Sequence, residues 1–596
     1  MRALDLAMLV AFLAYIVWDG ARRGRGVKDA EGYLLAGRKM RWWTMGLSVM
    51  ATQASAITLI STTGQGFADG MRFLHFYLAI PFAMVILCAT VVPWFHRSRV
   101  FTAYEYLERR FDRPTRLLAS VLFLVTRALA VGTVIYAPSV VLTSVGIPKW
   151  VTIVAMGTLS TIYTAIGGNT AVIITDAKQM VVMVAGIFAC LIVAWVRLPD
   201  DVGLVGALKI AGATQRLDTF RLLPDWRAVL ADKYNLFSGL IGGLFLFLGY
   251  FGADQEQVQR YLAGASVDQS RKSLLVSAFA KVPMQFVILL VGVLIYAHYV
   301  FAPAPAFFRA PELEKVLAGG SAVAAAPLRA RLDELESRRA AASSQRETAA
   351  RAFLAQGAPG AGGAAGGATT APTIADLRRA DAAIAQVRQD GMQLLRDAGL
   401  AKPDEKNDAD FVFTRFLTTE VPIGVAGLVL AAIFAAAISS LVSPLNSLAT
   451  SAVWDLWAAT RARPPPQEQV VRATRIATLF WGVFATVAAF YMGSIPVIEQ
   501  VNRIGSMVYG SMFAVFLLGW LVPRARGAVG WVSLAAGVGS VLALHYGVNH
   551  RLVLRVAGVE WPVNIEFLWY NLIGFLVVLL VGFLASRFRR IDSPSA

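Results

Sequence analysis

Apolar positions in this chain fall in long unbroken runs, separated by short polar segments. The runs lie near residues 3–20, 45–65, 74–95, 116–145, 150–166, 170–196, 236–257, 273–302, 420–450, 474–493, 500–521, 527–548 and 565–586. As a helix, a run of about 20 residues crosses a hydrocarbon core about 30 Å thick. The pattern therefore predicts an all-α polytopic membrane protein with about thirteen transmembrane helices. Six of the intervening segments are rich in Lys and Arg, among them "HRSRVFTAYEYLERRFDRPTR", "QVQRYLAGASVDQSRKS" and "SRFRRIDSPSA". The first run is followed by Arg22, Arg23 and Arg25 and has no small-residue cleavage site, so it reads as a retained helix with its N-terminus outside. An odd helix count then puts the C-terminus in the cytoplasm. The basic segments fall on the same side, as the positive-inside rule requires.

Two segments depart from this pattern. Residues 197–235 hold a mixed polar loop, and residues 303–418 form a long insert. In the insert, Leu328, Leu332 and Leu335, then Ile374, Leu377, Ile384 and Val387, recur at roughly helical spacing. The Gly/Ala-rich stretch "QGAPGAGGAAGGATTAPT" separates them. The expectation is an extracytoplasmic helical hairpin with a flexible hinge. It reads as a solvated elaboration or as a lid or docking arm for a protein partner.

Composition narrows the class. The 596 residues are 57% hydrophobic and 16% charged, whereas soluble chains are about a quarter charged. The net charge of +17 resides in the short segments between runs, so it points to membrane topology and not to nucleic acid. Cys88 and Cys190 both lie inside apolar runs and suggest neither a disulfide nor a metal site. The five histidines are scattered, and no nucleophile–base or metal constellation marks an enzyme.

Membrane helices that bind ions or small solutes are often interrupted, with freed carbonyls facing a cavity. Three stretches have that character. "LSVMATQASAITLISTTGQGFADG" should unwind near Ala51–Ser55. "FSGLIGGLFLFLGYFGADQEQVQRYLA" is weakened by its glycines. "AAIFAAAISSLVSPLNSLATSAVWDLW" carries Ser439, Ser440 and Ser443 with Pro444. Two hydroxyls one turn apart, with nearby carbonyls, make an uncharged oxygen cage suited to a monovalent cation, since a divalent ion would call for carboxylates. Close helix packing, with each hydroxyl bonded to a preceding carbonyl, is the alternative.

Five stretches resemble the sodium:solute symporter family and come in family order: "ATQASAITLISTTGQGFADG", "TAYEYLERRF", "IYTAIGGNTAVIITDAKQ", "GADQEQVQRYLA" and "AAIFAAAISSLVSPLNS…WDLW". The resemblance implies an inverted five-plus-five helix repeat of the leucine-transporter type. Residues 1–22 would then be an extra N-terminal helix, 40–200 the first repeat, 236–521 the second, and 522–596 two further helices with a short basic tail. It implies Na+ as coupling ion, held by the carbonyls of Ala51, Ala54 and Ala436 and the hydroxyls of Ser439 and Ser440. A second sodium would rest on Asp176 and Ser443, although Val442 replaces a hydroxyl of that site. The implied gating aromatic is Tyr250, and Gln53, Thr58, Tyr77 and Phe247 stand at substrate positions. Most polar sugar contacts are missing there. Arg127, midway through an apolar run, needs a partner: a substrate anion, backbone carbonyls, or an acid such as Asp176.

The expectation is thus a sodium-coupled symporter in the plasma membrane, the inner membrane of a bacterium, importing a small solute by alternating access. An anion such as a carboxylate is favoured. A sugar or amino-acid symporter is the alternative, and a transporter-like sensor with a partner docked on the insert is the reading from another class.

Overall fold

In the computed structural model, the structure describes residues 3–23, 29–144, 147–220, 225–232, 234–309, 313, 322–356, 370–400, 408–491, 497–549, 553–556, 559–562 and 564–588. Arg25, the Gly/Ala hinge at 357–369 and the end of the C-terminal tail lie outside the described residues.

The chain is helical almost throughout, and ten helical stretches are long and apolar enough to cross a membrane among the described residues. Two of these, Ala56–Ser98 with 43 residues and Lys149–Val196 with 48, are about twice the length one crossing needs. Counting each as two, and adding Ser238–Gly252 but not the still shorter apolar helix Gly203–Ala213, gives thirteen crossings among the described residues. The helices that matter for the site are α1 (Ala3–Arg23), α2 (Trp42–Gln53), α3 (Ala56–Asp69), α4 (Arg113–Ser144), α5 (Lys149–Val196), α6 (Gly243–Gly252), α7 (Gln255–Leu262) and α8 (Val267–Phe301). Two insert helices follow, α9 (Ala322–Gln356) and α10 (Thr370–Asp397), and then α11 (Val425–Ser451).

Within α5 the chain turns at Gly168, whose φ of +57° suits glycine alone. A Cβ there would also sit 2.8 Å from the Tyr33 ring. The broadest helix–helix contact in the molecule is α5 on α11, and α8 packs along both α2 and α3. The α3–α8 crossing depends on small residues. A Cβ on Gly66 would lie 2.4 Å from the Leu289 carbonyl oxygen, and one on Gly292 would lie 2.1 Å from that of Thr63. At the start of α11, Asp5 of α1 accepts hydrogen bonds from the backbone N–H of Gly424 (2.8 Å) and Gly427 (3.0 Å). It supplies the acceptor that a helix N-terminus lacks.

In the insert, α9 and α10 lie against each other. The ion pairs Arg331–Asp397, Arg338–Asp390 and Arg346–Asp381 run in opposite sequence directions, so the pair is antiparallel. Leu335, Val387, Met392 and Leu395 fill the seam with Phe307. A two-stranded antiparallel ribbon, Val553–Val556 with Val559–Pro562, precedes the last helix.

α11 differs from the sequence expectation of an interrupted segment. It runs continuously through Pro444. Proline has no N–H, so the helix bond to the Ser440 carbonyl is absent, yet the surrounding buried helices hold the geometry.

Candidate substrate and sodium site

The chain breaks between α2 and α3. Ala54 leaves helical geometry (φ −89°, ψ 61°) and Ser55 is extended (φ −68°, ψ 164°). Ser55 Oγ accepts a 3.2 Å hydrogen bond from the Thr58 N–H, starting α3. The carbonyls freed at the end of α2 take partners from other helices. The Gln53 carbonyl accepts from Thr58 Oγ1 (3.2 Å) and Lys281 Nζ (3.1 Å), and the Thr52 carbonyl accepts from Ser440 Oγ (3.1 Å). A second break separates α6 from α7, where Asp254 caps α7 by accepting from the Glu256 N–H at 2.9 Å. The negative end of α2 and the positive end of α3 therefore meet at one point inside the bundle.

Ala51, Ala54, Ala436 and Ser439 are fully buried around this break, and Ser440 is 5% exposed. Ser440 gives its proton to the Thr52 carbonyl, which leaves its lone pairs for a cation. Ser439 Oγ is buried and makes no hydrogen bond of good geometry, although it lies close enough to the Asp176 carboxylate to interact with it. A buried hydroxyl so weakly engaged, beside a helix C-terminus, fits a weakly held monovalent cation.

Asp176 and Ser443 also come together, but around a guanidinium. Asp176 Oδ2 accepts from Ser48 Oγ (2.8 Å) and from Arg260 Nη2 (2.9 Å), and the same Nη2 donates to Ser443 Oγ. Arg260 is 2% exposed. The first part of its stretch, read from its charge as part of a polar connection, forms the short helix α7 buried within the protein, while Ala265, Ser266, Asp268 and Lys272 beyond it are exposed. A basic residue in such a segment reads as exposed until its buried acid partners are known. Val442 is buried.

Between the two broken segments lies a chamber of about 140 Å³. Gln53, Thr58, Tyr77, Arg127, Phe247 and Tyr250 all line it. Arg127 has its charge matched. It pairs with Glu256 at 2.8 Å and with Asp254, and it donates to Tyr509 OH at 3.0 Å. Its acidic partners are thus on α7 and at its cap, and Asp176 is not among them. Tyr250 lies under the Arg127 guanidinium, 5.5 Å from ring centroid to carbon, and its hydroxyl accepts from Gln257 Nε2 at 2.8 Å.

Lys281 is the residue that sequence reasoning missed. It is fully buried, lines the chamber, donates to the Gln53 carbonyl and sits 5.2 Å over the Tyr77 ring. Among the described residues, no carboxylate lies within ion-pair distance of it. The signal was a lone lysine in "SLLVSAFAKVPMQFVILL", near enough to the start of the run to pass for an interfacial residue.

Broken helices meeting at a small chamber, largely apolar with a few polar and charged groups, inside a thirteen-crossing bundle define the class of secondary transporters. This chain belongs to the sodium:solute symporter family, matching its profile over residues 33–325 and 391–534. That family is one of transporters and not of enzymes, and sodium is its coupling ion. The match omits residues 326–390, most of the insert hairpin. Over 275 residues the chain is 33% identical to the sodium/iodide cotransporter of Homo sapiens, covering 45% of this chain and 41% of that one. It is 31% identical to the sodium-coupled monocarboxylate transporter 1 of Xenopus laevis, covering 50% and 47%. The chain thus spans less than half the length of these two relatives. With the sodium/sialic acid symporter SiaT of Proteus mirabilis the identity is 25%, over 97% of this chain and 94% of that one. A solved Na+-coupled sialic acid symporter, in a substrate-bound outward-open state, shares the fold with a TM-score of 0.72 at 22% identity, over 99% and 98% of the two chains.

Proposed function

We propose that this protein is a sodium-coupled symporter that carries a small organic anion of the carboxylate class into the cell by alternating access, in the inner membrane of a bacterium. The observation that carries the reading is Lys281: a buried lysine with no carboxylate at ion-pair distance among the described residues, facing a chamber that also receives the positive N-terminal end of α3. A carboxylate arriving there would complete an ion pair that the empty carrier lacks. The chamber's volume of about 140 Å³ suits a substrate of a few heavy atoms. The names of the relatives at 30–33% identity, iodide and monocarboxylate carriers among them, agree with a small anion.

Sodium would sit at the C-terminal end of α2, on the carbonyls of Ala51, Ala54 and Ala436 and the hydroxyls of Ser439 and Ser440. Bridging α2 to α11, it would favour the arrangement in which the chamber accepts substrate. Arg260 already fills the space between Asp176 and Ser443, which supports a single sodium site. One sodium crossing 100 mV gains about 2.3 kcal/mol, and a tenfold gradient adds about 1.4 kcal/mol. Carried with a monovalent anion, the voltage contribution cancels, and a tenfold gradient supports about tenfold accumulation.

The test is sodium-gradient uptake by proteoliposomes, offered labelled pyruvate, propionate, iodide, glucose and proline. The expected result is saturable sodium-dependent carboxylate uptake that other carboxylates inhibit. Uptake of glucose or proline that carboxylates leave untouched would overturn the proposal.

A further inference from the structure

A second cavity, about 280 Å³, lies under the insert hairpin at the far end of α3 from the chamber. Phe67 is nine residues beyond Thr58, about 14 Å along the helix at its ordinary rise. The walls come from α3, α8, the segment 304–308 and both hairpin helices.

Its lining is cationic and aromatic. Arg216, Arg339, Arg346 and Arg388 line it, against Asp381 and Asp408. Glu336, next to the cavity, pairs with Arg339, which also donates to the Ala304 carbonyl. Asp408 pairs with Arg388 at 2.6 Å. That leaves Asp381 shared between two guanidiniums, Arg216 at 2.9 Å and Arg346 at 3.4 Å, while it also accepts from Tyr296 OH at 2.9 Å. Among the described residues, the arginines of the cavity thus outnumber their acid partners by one. Arg346 is the buried member, 3% exposed: its Nη2 donates to the Tyr299 carbonyl at 2.6 Å, its Nη1 reaches Asp381, and its Nε has no hydrogen-bond partner among the described residues. The buried hydroxyl oxygen of Ser343, on the same wall, has none either. Phe67, Tyr296 and Phe308 supply apolar faces, with Arg388 5.0 Å over the Phe67 ring and 4.9 Å over that of Phe308.

We propose that this cavity is a second ligand site, formed by the insert, that binds a small organic carboxylate: the carboxylate on Arg346 and Ser343, the carbon body against Phe67 and Phe308. The unpartnered Nε–H of Arg346 and the unpartnered hydroxyl of Ser343 provide the donors a carboxylate accepts from. The aromatic walls favour an organic acid over a hydrated inorganic anion. The site involves none of the chamber or sodium residues, so it stands whether or not the central chamber takes the same class of solute.

The experiment is isothermal titration of benzoate into the purified full chain in detergent, in choline chloride without sodium. The expected result is saturable one-site binding that Lys281→Gln leaves unchanged and that Arg346→Gln or Ser343→Ala weakens at least tenfold. Arg346 is buried in an ion-pair network, so its loss could unfold the hairpin. Ala385→Trp, which adds bulk at the exposed rim and removes no charge, should weaken binding as strongly in a protein that elutes as a single helical species. Absence of saturable sodium-free binding to the wild-type chain would overturn the proposal, as would binding indifferent to both Ser343→Ala and Ala385→Trp. Binding abolished by Lys281→Gln would move the ligand to the central chamber, and equal affinity for sulfate would remove the role of the aromatic walls.

Discussion

Lys281 and Arg127 are both basic residues inside apolar helices, yet among the described residues only Arg127 has acids to answer it. Burying a basic group without a partner is unfavourable by several kcal/mol in its charged form, so a protein that keeps one at a chamber wall has a use for it there. Replacing it by Gln removes the charge and keeps a donor. Lys281→Gln should raise KM for a carboxylate at least tenfold while sodium activation persists, and Lys281→Arg should restore part of the affinity. An unchanged KM in uptake assays would remove Lys281 from the substrate site. The two serines answer a different question. With Ser439→Ala and Ser440→Ala together, two of the five oxygens of the proposed sodium cage go and the three carbonyls stay. Sodium-dependent uptake should disappear while the protein still reaches the membrane, and uptake with wild-type sodium dependence would sink the assignment. The serines were readable in the sequence because hydroxyls stand out in an apolar run. The partners of Arg127, Asp176 and Ser443 were not, because a sequence shows that a charge is buried without showing which helix answers it. Arg260 illustrates this: it lies more than eighty residues from Asp176 and more than one hundred and eighty from Ser443.

At the level of elements, the two breaks were legible because glycine, β-branched and hydroxyl residues weaken a helix where no packing compensates. Pro444 misled for the opposite reason, since tertiary packing around α11 outweighs the missing N–H. The α3–α8 crossing was not legible at all: glycine in a membrane run indicates that backbones approach, not which ones. Its test is Gly292→Val, whose side chain would collide with the Thr63 carbonyl. The variant should lower the melting temperature in detergent by several degrees, as overpacking by about 1–3 kcal/mol does. A melting curve that superimposes on wild type would show that the crossing is looser than described. The hairpin carries its own prediction. Burial of Asp381 raises its pKa, but the guanidiniums of Arg216 and Arg346 outweigh this and hold it below the ordinary value of 3.8. A depressed pKa stabilises docking above the unfolded value, and that contribution is lost as pH falls through the folded one. Distances between spin labels on the hairpin and α8 should therefore stay constant from neutral pH down to about 4 and lengthen only below the carboxylate range. Undocking between pH 5 and 7 would contradict this.

For the whole molecule, the run pattern revealed the number of crossings, since each run obeys a length fixed by the bilayer. The inverted arrangement needed the family resemblance, because no repeat of residues between the two halves announces it. What the carrier does in a cell depends on its charge balance over one cycle. If one sodium travels with one monovalent carboxylate, uptake should be unaffected when a potassium–valinomycin potential is imposed on the proteoliposomes. Strong stimulation by an inside-negative potential would require a second travelling cation. The ion pair of Arg260 with Asp176 bears on that count. A guanidinium held between Asp176 and Ser443 is a counter-ion that never exchanges with the medium, so the carboxylate it neutralises makes no demand on sodium outside. The dependence of rate on sodium should then be hyperbolic, with a Hill coefficient near one, and a cell whose membrane has been depolarised would go on filling as long as sodium remained scarcer inside than out.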